Sequence, residues 1–351
     1  GVLPMVQDAR KSQLNHCMLP RANETEAAVI EEVRVTAPGH LREALTYLQT
    51  DVNERDTYLP PAKPSQPEGQ EEEKEDFAEV AGQEEVRRGV ELAVAGFHHL
   101  LMIGPPGAGK TMIARRIPGI LPPLTREESL ELSAVYSVAG KLKEQTGLIT
   151  KRPFVSPHHT ISDQGLTGGG IIPKPGAVSL AHHAVLFLDE LGEFRRRTLD
   201  LLRQPLEERK IHLSRAFGTY TYPADFLLVA ATNPCPCGYY PDPVRCRCSS
   251  REIERYLSKI SGPILDRMDL CVEVSPVSLQ ELSETKENES SAVMRQRIQQ
   301  ARDRQEKRYR NTSYHYNSQL SGADTLKYCV LEEPQKKLLE TAFHTMGLSA
   351  R

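Results

Sequence analysis

The chain has 351 residues, of which 39% are hydrophobic and 26% charged, proportions typical of a globular protein with two or three domains. Its net charge of −3 means that any nucleic-acid contact must come from local basic patches. No apolar run approaches the ~18 residues of a membrane helix. The chain has seven cysteines, four of them in one cluster, which is too few and too clustered for a secreted disulfide scaffold of this size, so we expect a cytoplasmic protein without membrane contact. The chain starts at Gly1 without a signal-peptide pattern, so we interpret this start as a cut boundary.

The first 75 residues predict the end of one domain followed by a tether. Residues 1–50 finish with a turn and a short amphipathic helix, Pro38 to Leu48, which is too short to bury a core alone. Residues 51–75 are rich in Pro, Gln and Glu and lead into the acidic run Glu71 to Asp76. This composition is typical of an acidic, flexible linker.

A helix, a buried strand and a glycine-rich turn follow. Apolar spacing predicts a helix from Glu84 to Gly96 and a strand from His99 to Ile103. The next residues match G-x-x-x-x-G-K-[ST], a phosphate loop whose glycines let backbone N–H groups approach phosphate oxygens. Lys110 would neutralise the β- and γ-phosphates, and the Thr111 hydroxyl would hold Mg²⁺. The predicted nucleotide-binding residues here are Gly104, Pro105, Pro106, Gly107, Ala108, Gly109, Lys110, Thr111 and Met112.

A second apolar strand, Ala184 to Leu188, ends in two carboxylates. Asp189 is placed to bind the Mg²⁺ shell, and Glu190 to polarise an attacking water. With the phosphate loop upstream, this motif predicts a protein that binds and hydrolyses a nucleoside triphosphate. Strands that alternate with helices further predict an α/β fold with a parallel sheet covered by helices.

Two later polar residues have alternative interpretations. Asn233 follows a third apolar strand, Phe226 to Ala231. If that strand lies between the two motif strands, Asn233 can reach the γ-phosphate or the attacking water; alternatively it caps a turn before the next proline. Arg267 either stabilises the charge that develops in a neighbouring subunit's site, or forms an intrachain salt bridge with Asp266 or Asp269.

Cysteine and histidine clusters raise the question of metal binding. Four cysteines within fourteen residues can supply the tetrahedral ligands of a structural Zn²⁺, although the C-x-C spacing departs from the usual C-x₂-C. Redox-sensitive or free cysteines are the alternative. The pairs His158-His159 and His182-His183 have no carboxylate or cysteine at ligand spacing, so we interpret them as polar loop residues near nucleotide or DNA. The candidate zinc ligands are Cys235, Cys237, Cys246 and Cys248.

The last part of the chain is helical and highly charged. The pattern from Leu279 to Arg310 predicts a small helical domain behind the α/β core. Acidic residues interrupt its basic run, so a solvated helix face is preferred to a nucleic-acid patch. The chain has no tryptophan and no array of interleaved aromatic and basic residues, which gives no support to sequence-specific single-strand recognition.

The order of these motifs resembles that of AAA+ ATPases. The phosphate loop, Asp189-Glu190, Asn233 and Arg267 occur in the superfamily's order, and Asp76 to Gln83 resembles its adenine-packing segment. A finer resemblance, covering roughly residues 76–351 and less distinctly 1–50, is to the magnesium-chelatase-like, ComM (YifB) family. Three stretches carry it: Arg152 to Thr160, Gly168 to His182, and Asn233 to Gly238.

The resemblance implies a domain order. Residues 1–50 would be the last piece of a Lon-protease-like N-terminal domain, joined by the linker 51–75 to an AAA+ core at 76–275. Residues 152–182 would be an insertion in the second helix of that core. Residues 276–351 would form a helical lid domain, truncated at its C-terminus. ATP and Mg²⁺ are the implied cofactors.

The resemblance also implies residue roles in a hexameric ring. Arg267 would act on the neighbouring subunit's nucleotide, and Arg351 would be the second sensor arginine. The alternating residues 210–223, with a turn near Gly218, predict a β-hairpin independently of the resemblance. In ring-shaped relatives this hairpin and the 152–182 segment point into the central pore. Lys210 and Arg215 are therefore either contacts to branched or single-stranded DNA or ordinary exposed charges.

Three functions fit these observations. The leading one is an ATP-driven motor that promotes branch migration when DNA is integrated during bacterial natural transformation. The second is the ATPase subunit of a magnesium-chelatase-type metal-insertion complex, against which the Asn-Pro-Cys-Pro-Cys loop and the Lon-like remnant argue. The third is a nucleotide-switched scaffold. A pure switch needs neither the catalytic base Glu190 nor the arginine Arg267, so their presence disfavours it.

Overall fold

The computed structural model describes residues 1–63, 75–142, 147–215, 218–277 and 288–346. The strands are β1 (His16–Met18), β2 (Arg34–Thr36), β3 (Leu100–Ile103), β4 (Phe154–Val155), β5 (Gly168–Gly169), β6 (Lys174–Pro175), β7 (Val185–Leu188), β8 (Lys210–Arg215), β9 (Gly218–Pro223), β10 (Leu227–Thr232) and β11 (Leu270–Glu273). Short 3₁₀ helices occur at Arg21–Asn23, Phe77–Glu79, Leu191–Glu193 and Asn317–Gln319.

The α-helices of the first half are α1 (Leu3–Lys11), α2 (Glu24–Ala27), α3 (Leu41–Gln49), α4 (Arg55–Tyr58), α5 (Glu84–Gly96), α6 (Lys110–Ile120), α7 (Arg126–Ala139), α8 (Asp163–Thr167) and α9 (Ala177–Leu180). Those of the second half are α10 (Arg196–Asp200), α11 (Arg203–Glu208), α12 (Ser250–Leu257), α13 (Gly262–Leu265), α14 (Ser291–Tyr309), α15 (Gly322–Tyr328) and α16 (Glu333–Met346). Among the described residues, none of these helices combines the length and apolar character needed to cross a membrane.

Five parallel strands form the central sheet, in the order β11-β3-β10-β7-β4. β10 is hydrogen-bonded to β3 on one side and to β7 on the other, with Ala231 opposite Met102 and Val229 opposite Phe187. The prediction of a parallel sheet is therefore confirmed, and the condition set for Asn233, a strand between the two motif strands, is met. Because ligands of such sheets bind outside the carboxyl ends of the strands, we expect the candidate site at that end of the sheet.

The sheet is apolar on both faces because successive strand residues point to opposite sides and both sides are covered. On one face, Met102 and Phe187 pack against apolar residues of α5 and α6, including Val90 and Ile117. On the other face, apolar strand residues pack against the short helices that follow β7. The residues of that second layer include Leu186, Leu188, Leu228, Leu199, Leu202, Leu206 and Ile264.

The helical region after the core rests on α5 and α6. Its long helix α14 packs against both. Of the predicted helix 279–310, residues up to 287 lie outside the described residues, and the helix seen begins at Ser291. Three basic residues of α14 have partners within the chain, which differs from the predicted solvated face. Arg295 Nε donates to the Gly119 carbonyl at 2.9 Å, Arg297 pairs with Glu91, and the Arg302 guanidinium lies over a tyrosine ring.

The N-terminal residues form a small unit that shares its core with α7. Leu3, Ile30 and Val35 cluster together, and Leu130 and Ala134 of α7 pack against them. The N-terminal residues therefore pack against the α/β core through α7. The first part of residues 51–75 is folded, which differs from the predicted flexible linker. Residues 55–58 form α4, and the Ala62 N–H donates to the Val35 carbonyl at 2.9 Å. Residues 64–74 lie outside the described residues.

The segment 152–182 also differs in its first part from the predicted helix insertion. Phe154 and Val155 form β4, the edge strand of the central sheet, paired with β7. The remaining residues form α8, the antiparallel pair β5–β6, and the buried helix α9. The predicted hairpin is confirmed: β8 and β9 pair antiparallel, from Lys210 opposite Pro223 to Arg215 opposite Gly218.

Candidate nucleotide site

The phosphate loop connects β3 to the N-terminus of α6, and the backbone N–H groups at a helix N-terminus are suited to bind an anion. Gly107 and Gly109 have φ values of +76° and +88°, a left-handed conformation that favours glycine. Gly104 is fixed by crowding, since a Cβ there would lie 2.2 Å from the carbonyl oxygen of Val274. The loop therefore has the shape that its sequence predicts.

Lys110 opens α6, and its side chain is buried under the loop. Its Nζ donates to the carbonyl oxygens of Gly104 at 2.6 Å and Pro105 at 2.9 Å, and to Oδ1 of Asn233 at 3.2 Å. Burial lowers the pKa of Lys110, while Asp189 and Glu190 act in the opposite direction. Because the bonded partners are neutral oxygens, the positive charge of Lys110 stays available for a phosphate group.

Thr111 and Asp189 come together at this edge of the sheet. Thr111 Oγ1 donates to Oδ2 of Asp189 at 2.6 Å, and the other oxygen of Asp189 accepts from the Glu190 N–H at 2.9 Å. A hydroxyl and a carboxylate side by side form an oxygen donor set that suits Mg²⁺. The two residues thus fit the magnesium role that the sequence assigns to them.

The remaining predicted site residues lie around these groups. Glu190 follows β7 with a left-handed φ of +51°, and Nδ1 of His159 lies 3.3 Å from its Oε2. Asn233 follows β10, between the strands that carry the two motifs. Met112, in the first turn of α6, is partly exposed. Arg351 lies outside the described residues.

Lys110 lies at the carboxyl ends of the strands. Arg267 lies at their amino ends, because it precedes β11 rather than following it. The four residues of β11 span about 13 Å, so Arg267 does not share a site with Lys110 in the same chain. Its Nη1 donates to the Pro263 carbonyl at 2.8 Å, and its Nη2 pairs with Glu207 of α11. An intrachain salt bridge therefore exists, but its partner is neither Asp266 nor Asp269.

The segment Asp76 to Gln83 connects the core to the helical region. Phe77 is fully buried, and its N–H donates to Oγ of Ser291 at 2.9 Å. Oδ1 of Asp76 accepts from the Ser291 N–H at 2.9 Å. Burial raises the pKa of Asp76, but hydrogen bonds from Ala78 and Ser291 outweigh it and hold the pKa below its usual value. This segment and α14 therefore meet beside the phosphate-loop helix.

The four cysteines of the loop after β10 converge. Their sulfur atoms all lie within 4.8 Å of one another, and three Sγ–Sγ distances are 3.3, 3.7 and 3.8 Å. Four sulfurs around a zinc at ~2.3 Å are about 3.8 Å apart, so the cluster fits a tetrahedral Zn²⁺. A hydrogen bond from the Tyr239 N–H, with help from neighbouring thiols, lowers the pKa of Cys237 to about 6. The pKa values of Cys246 and Cys248 are raised instead, with the neighbouring thiols among the causes, so the geometry of the four sulfurs and not their acidity carries the zinc assignment.

The cysteine loop also contacts the nucleotide site. Gly238 has a φ of +86°, and a Cβ on it would lie 2.5 Å from Cδ of Pro106 in the phosphate loop. The loop begins at Asn233, which is bonded to Lys110. The sequence reveals the four cysteines, but their proximity to the phosphate loop depends on the strand order.

The sequence pattern showed no carboxylate near the pair His182-His183, but the structure places Glu131 of α7 beside both rings. Its Oε2 lies 3.2 Å from Nε2 of His182 and 2.9 Å from Nε2 of His183. Nδ1 of His182 accepts from the Asp225 N–H at 3.1 Å, so the neutral ring carries its proton on Nε2. That proton points at Glu131 and leaves no Nε2 lone pair for a metal. The three side chains form a hydrogen-bonded cluster that ties α7 to the start of β10.

The β8–β9 hairpin and the β5–β6 turn form one continuous surface. The Tyr222 hydroxyl donates to the Pro173 carbonyl at 2.6 Å, and Nη2 of Arg215 would lie 3.1 Å from a Cβ on Gly169. Ile171 and Ile172, at the tip of the turn, are 98% and 79% exposed. Two elements that the resemblance assigns to the same pore are therefore adjacent in this chain.

Two family descriptions match this chain. Magnesium chelatase, subunit ChlI, matches residues 76–282, and the ChlI C-terminal description matches residues 288–351. YifB of Salmonella typhimurium is 47% identical over 79% of this chain and 54% of its own length. Competence protein ComM of Haemophilus influenzae is 38% identical over 100% of this chain and 68% of its own length. The chain thus spans about half the length of YifB and two thirds of that of ComM.

The order of the strands in the sheet is structural evidence that the sequence matches do not contain. A strand inserted between the phosphate-loop strand and the Asp189 strand brings Asn233 to Lys110, and the ChlI descriptions cover both this core and the helices behind it. The resemblance inferred from the motifs is thereby confirmed, and the chain belongs to the magnesium chelatase ChlI family, as an AAA+ ATPase of the ComM/YifB type.

Proposed function

We propose that the chain is the motor part of an ATP-hydrolysing DNA translocase that works as a hexameric ring. Its specific role would be branch migration of DNA during integration in natural transformation. The observation that carries the proposal is the composite surface of β5–β6 and β8–β9, which lies on the same core as the hydrolysis site. The relative ComM, a competence protein, supports the biological setting.

The site residues divide the hydrolysis step among them. Lys110 binds the β- and γ-phosphates of ATP, and Thr111 and Asp189 hold Mg²⁺, which neutralises developing phosphate charge when bound. Glu190 accepts the proton of the attacking water. Asn233 orients that water beside Lys110. Arg267 of the neighbouring subunit stabilises the transferring phosphoryl group, because its own chain keeps it at the other edge of the sheet.

The hairpin carries the chemistry that DNA binding needs. Ile211 and Leu213 are buried and fix β8 to the core, so Lys210 and His212 point to the opposite, outer face, whereas Arg215 lies beyond the buried part of the strand, beside Gly169. Lys210 and Arg215 are exposed and can contact phosphates, and Tyr220 offers a ring on which a base can stack. This surface would contact the phosphate backbone of a DNA strand rather than recognise its base sequence.

We further propose that the cysteine loop is a structural zinc site. Zn²⁺ bound by the four sulfurs would fix the loop that begins at Asn233 and packs on Pro106. The zinc would then stabilise the nucleotide site without taking part in hydrolysis.

The decisive experiment measures ATP hydrolysis with and without forked or single-stranded DNA. We expect DNA to raise the rate severalfold, and Glu190→Gln to abolish turnover. We also expect Arg215→Ala to reduce the ratio of DNA-stimulated to basal rate, and the matched control Lys336→Ala, an exposed charge on α16, to retain that ratio. An undiminished ratio in Arg215→Ala would remove the hairpin from the proposal.

A second candidate follows from the family description itself. Residues 76–282 and 288–351 match the ChlI subunit of magnesium chelatase, so an ATPase subunit of a metal-insertion complex is the alternative. The same assay separates the two functions. A rate that does not respond to any DNA, but rises with a porphyrin-handling partner, would favour the alternative.

A further inference from the structure

A stripe of basic residues runs along one face of α12. Arg251, Arg255 and Lys259 are spaced four residues apart, so they lie on the same side of the helix, about 6 Å from one another along its axis. Ser258, which caps the helix, keeps helical φ and ψ angles, so Lys259 continues the row. All three basic side chains are exposed.

A groove of about 490 Å³ separates this stripe from the chain that follows β7. Arg255 and Lys259 line one wall, and Glu193 and Arg196 line the other. The two walls come from parts of the sequence that lie about sixty residues apart, so the run of three arginines after Phe194 and the stripe of α12 meet only in the fold.

Packing holds the two walls together. The buried ring of Tyr256 lies against Gly192, where a Cβ would be 3.1 Å from its Cζ. Nζ of Lys259 lies 5.1 Å from the centre of the same ring and 3.5 Å from a carboxylate oxygen of Glu193. The groove is therefore a feature of the folded core and does not depend on a loose surface loop.

The groove has the charge of a site for anions. Three cations and one carboxylate line it, and Lys259 already pairs with that carboxylate. Within the described part of the chain, the guanidinium groups of Arg196 and Arg255 form no ion pair or hydrogen bond. Arg255 does attract Glu252 on its own helix, but that carboxylate accepts hydrogen bonds from the N–H and the hydroxyl of Ser249 at the helix start.

The shape of the cationic row fits a strand better than a single phosphate. Arg251 to Lys259 extends about 12 Å along α12, and one strand of B-DNA carries a phosphate about every 3.4 Å of its axis, so the row spans about three to four phosphates. The two aromatic rings at the groove, Phe194 and Tyr256, are buried and offer no stacking surface for a base. The groove therefore suits a backbone and not a base.

The groove also lies beside the surface already proposed for DNA. Arg197, the residue after Arg196, pairs with Asp163 of α8 at 3.2 Å. α8 leads directly into β5 and its exposed turn. The arginine wall of the groove and the β5–β6 turn are thus carried by neighbouring elements.

We propose that this groove binds the phosphodiester backbone of a nucleic-acid strand, as a second contact in addition to the β8–β9 hairpin. Arg196 and Arg255 bind phosphates from opposite walls, and Arg251 and Lys259 extend the contact along α12. The inference goes beyond the proposed function, which places DNA only on the hairpin and the β5–β6 turn, and rests on it for the nature of the ligand.

The test measures the Kd of fluorescently labelled single strands by anisotropy at several salt concentrations. Mg²⁺ and a non-hydrolysable ATP analogue are kept constant. The double variant Arg196→Gln/Arg255→Gln removes two charges from the groove. Arg304→Gln/Lys307→Gln, on exposed residues of α14, is the matched control because it removes the same charge elsewhere.

We expect the groove variant to bind severalfold more weakly at low salt. The slope of log K against log[salt] should become less steep by about 1.4, because each lost phosphate contact on a single strand contributes about 0.7. The loss should be equal for an oligothymidylate and for a mixed-sequence strand, since phosphates carry no sequence information. The control variant should keep the wild-type slope, and equal melting temperatures show that all the proteins are folded.

Four outcomes would overturn the inference. An unchanged slope in the groove variant removes the contact, and an equal change in the control shows a general effect of net charge. Displacement of the strand by inorganic phosphate at constant ionic strength, down to the affinity of the groove variant, indicates a site for isolated phosphate. A change in oligomer mass by light scattering, with DNA affinity unchanged, indicates that the groove binds an acidic face of a second copy.

DNA-stimulated ATP hydrolysis separates this inference from the proposed function. If Arg215→Ala lowers the stimulation and the groove variant binds strands like the wild type, only the groove inference fails. If the groove variant loses affinity as expected but no DNA changes the ATPase rate of the wild type, the groove inference stands and the proposed translocase is wrong. A wild-type protein that binds no strand contradicts both.

Discussion

Nζ of Lys110 donates a hydrogen bond to Oδ1 of Asn233 at 3.2 Å, across 123 positions of sequence. The two residues meet because β10 lies directly beside β3, so that the carboxyl ends of both strands open into the same site. The amide of Asn233 therefore contacts the cation that we propose binds phosphate. It also begins the loop that carries the four cysteines.

Asn233→Ala tests the importance of this contact. We expect kcat for ATP hydrolysis to fall by about ten- to a hundredfold, because the amide orients the attacking water, with KM for ATP changed much less. Steady-state kinetics at saturating Mg²⁺ measure both constants. Asn311→Ala, on an exposed residue after α14, is the control and should match the wild type. A rise in KM with constant kcat would instead show that Asn233 only helps to bind ATP.

Arg267 and Lys110 predict complementation between two inactive variants. In our proposal, Lys110→Ala lacks a working phosphate loop, and Arg267→Ala lacks the arginine that would act on the neighbouring subunit. In a mixed ring, the loop of the Arg267 variant meets the arginine of the Lys110 variant, so some sites are complete. We expect a mixture to hydrolyse ATP clearly faster than the sum of the two separate proteins.

The removal of Arg267 leaves Glu207 without its ion-pair partner, but that carboxylate is more than half exposed and water can solvate it. The melting temperature of Arg267→Ala should therefore stay near that of the wild type. A mixture that gives only the summed rates would place Arg267 outside the neighbour's site.

The cysteine cluster predicts bound zinc. Purified protein should contain about one zinc per chain by elemental analysis, and Cys237→Ser should lose it and melt at a lower temperature. Prolonged treatment with a strong chelator should have the same effect on the wild type. Cys329→Ser, an exposed cysteine outside the loop, should keep the metal and the stability. A metal-free protein with the same melting temperature as Cys237→Ser would support free cysteines instead.

Local motifs predicted the parts of the site that depend on neighbouring residues in sequence. The phosphate loop and Asp189-Glu190 each follow a short apolar strand directly, so their positions in the fold could be predicted from the sequence. The contacts between distant elements were not predicted. Glu131 meets His182, and Glu207 meets Arg267, because of how α7 and α11 pack on the core. No local pattern in the sequence specifies those packing positions, so the sequence offered only Asp266 and Asp269 as partners of Arg267.

The cluster of Glu131, His182 and His183 predicts a pH dependence of stability. Burial lowers the pKa of His182 below its usual value of about 6.5, although the hydrogen bond to Glu131 opposes this effect. The unfolded chain therefore takes up a proton on His182 below pH 6.5, while the folded chain resists it. Because the unfolded state then binds more protons, stability falls as pH falls through this window.

His182→Gln tests this prediction, since glutamine retains a donor for Glu131 but does not titrate. Urea unfolding at pH 7.5, 6.5 and 5.5 should show that the free energy of unfolding falls less with pH in His182→Gln than in the wild type. The difference is bounded by about 1.4 kcal/mol per pH unit for one proton. His344→Gln, on an exposed residue of α16, should follow the wild-type curve. Parallel curves for all three proteins would show that His182 is protonated equally easily in the folded and unfolded states.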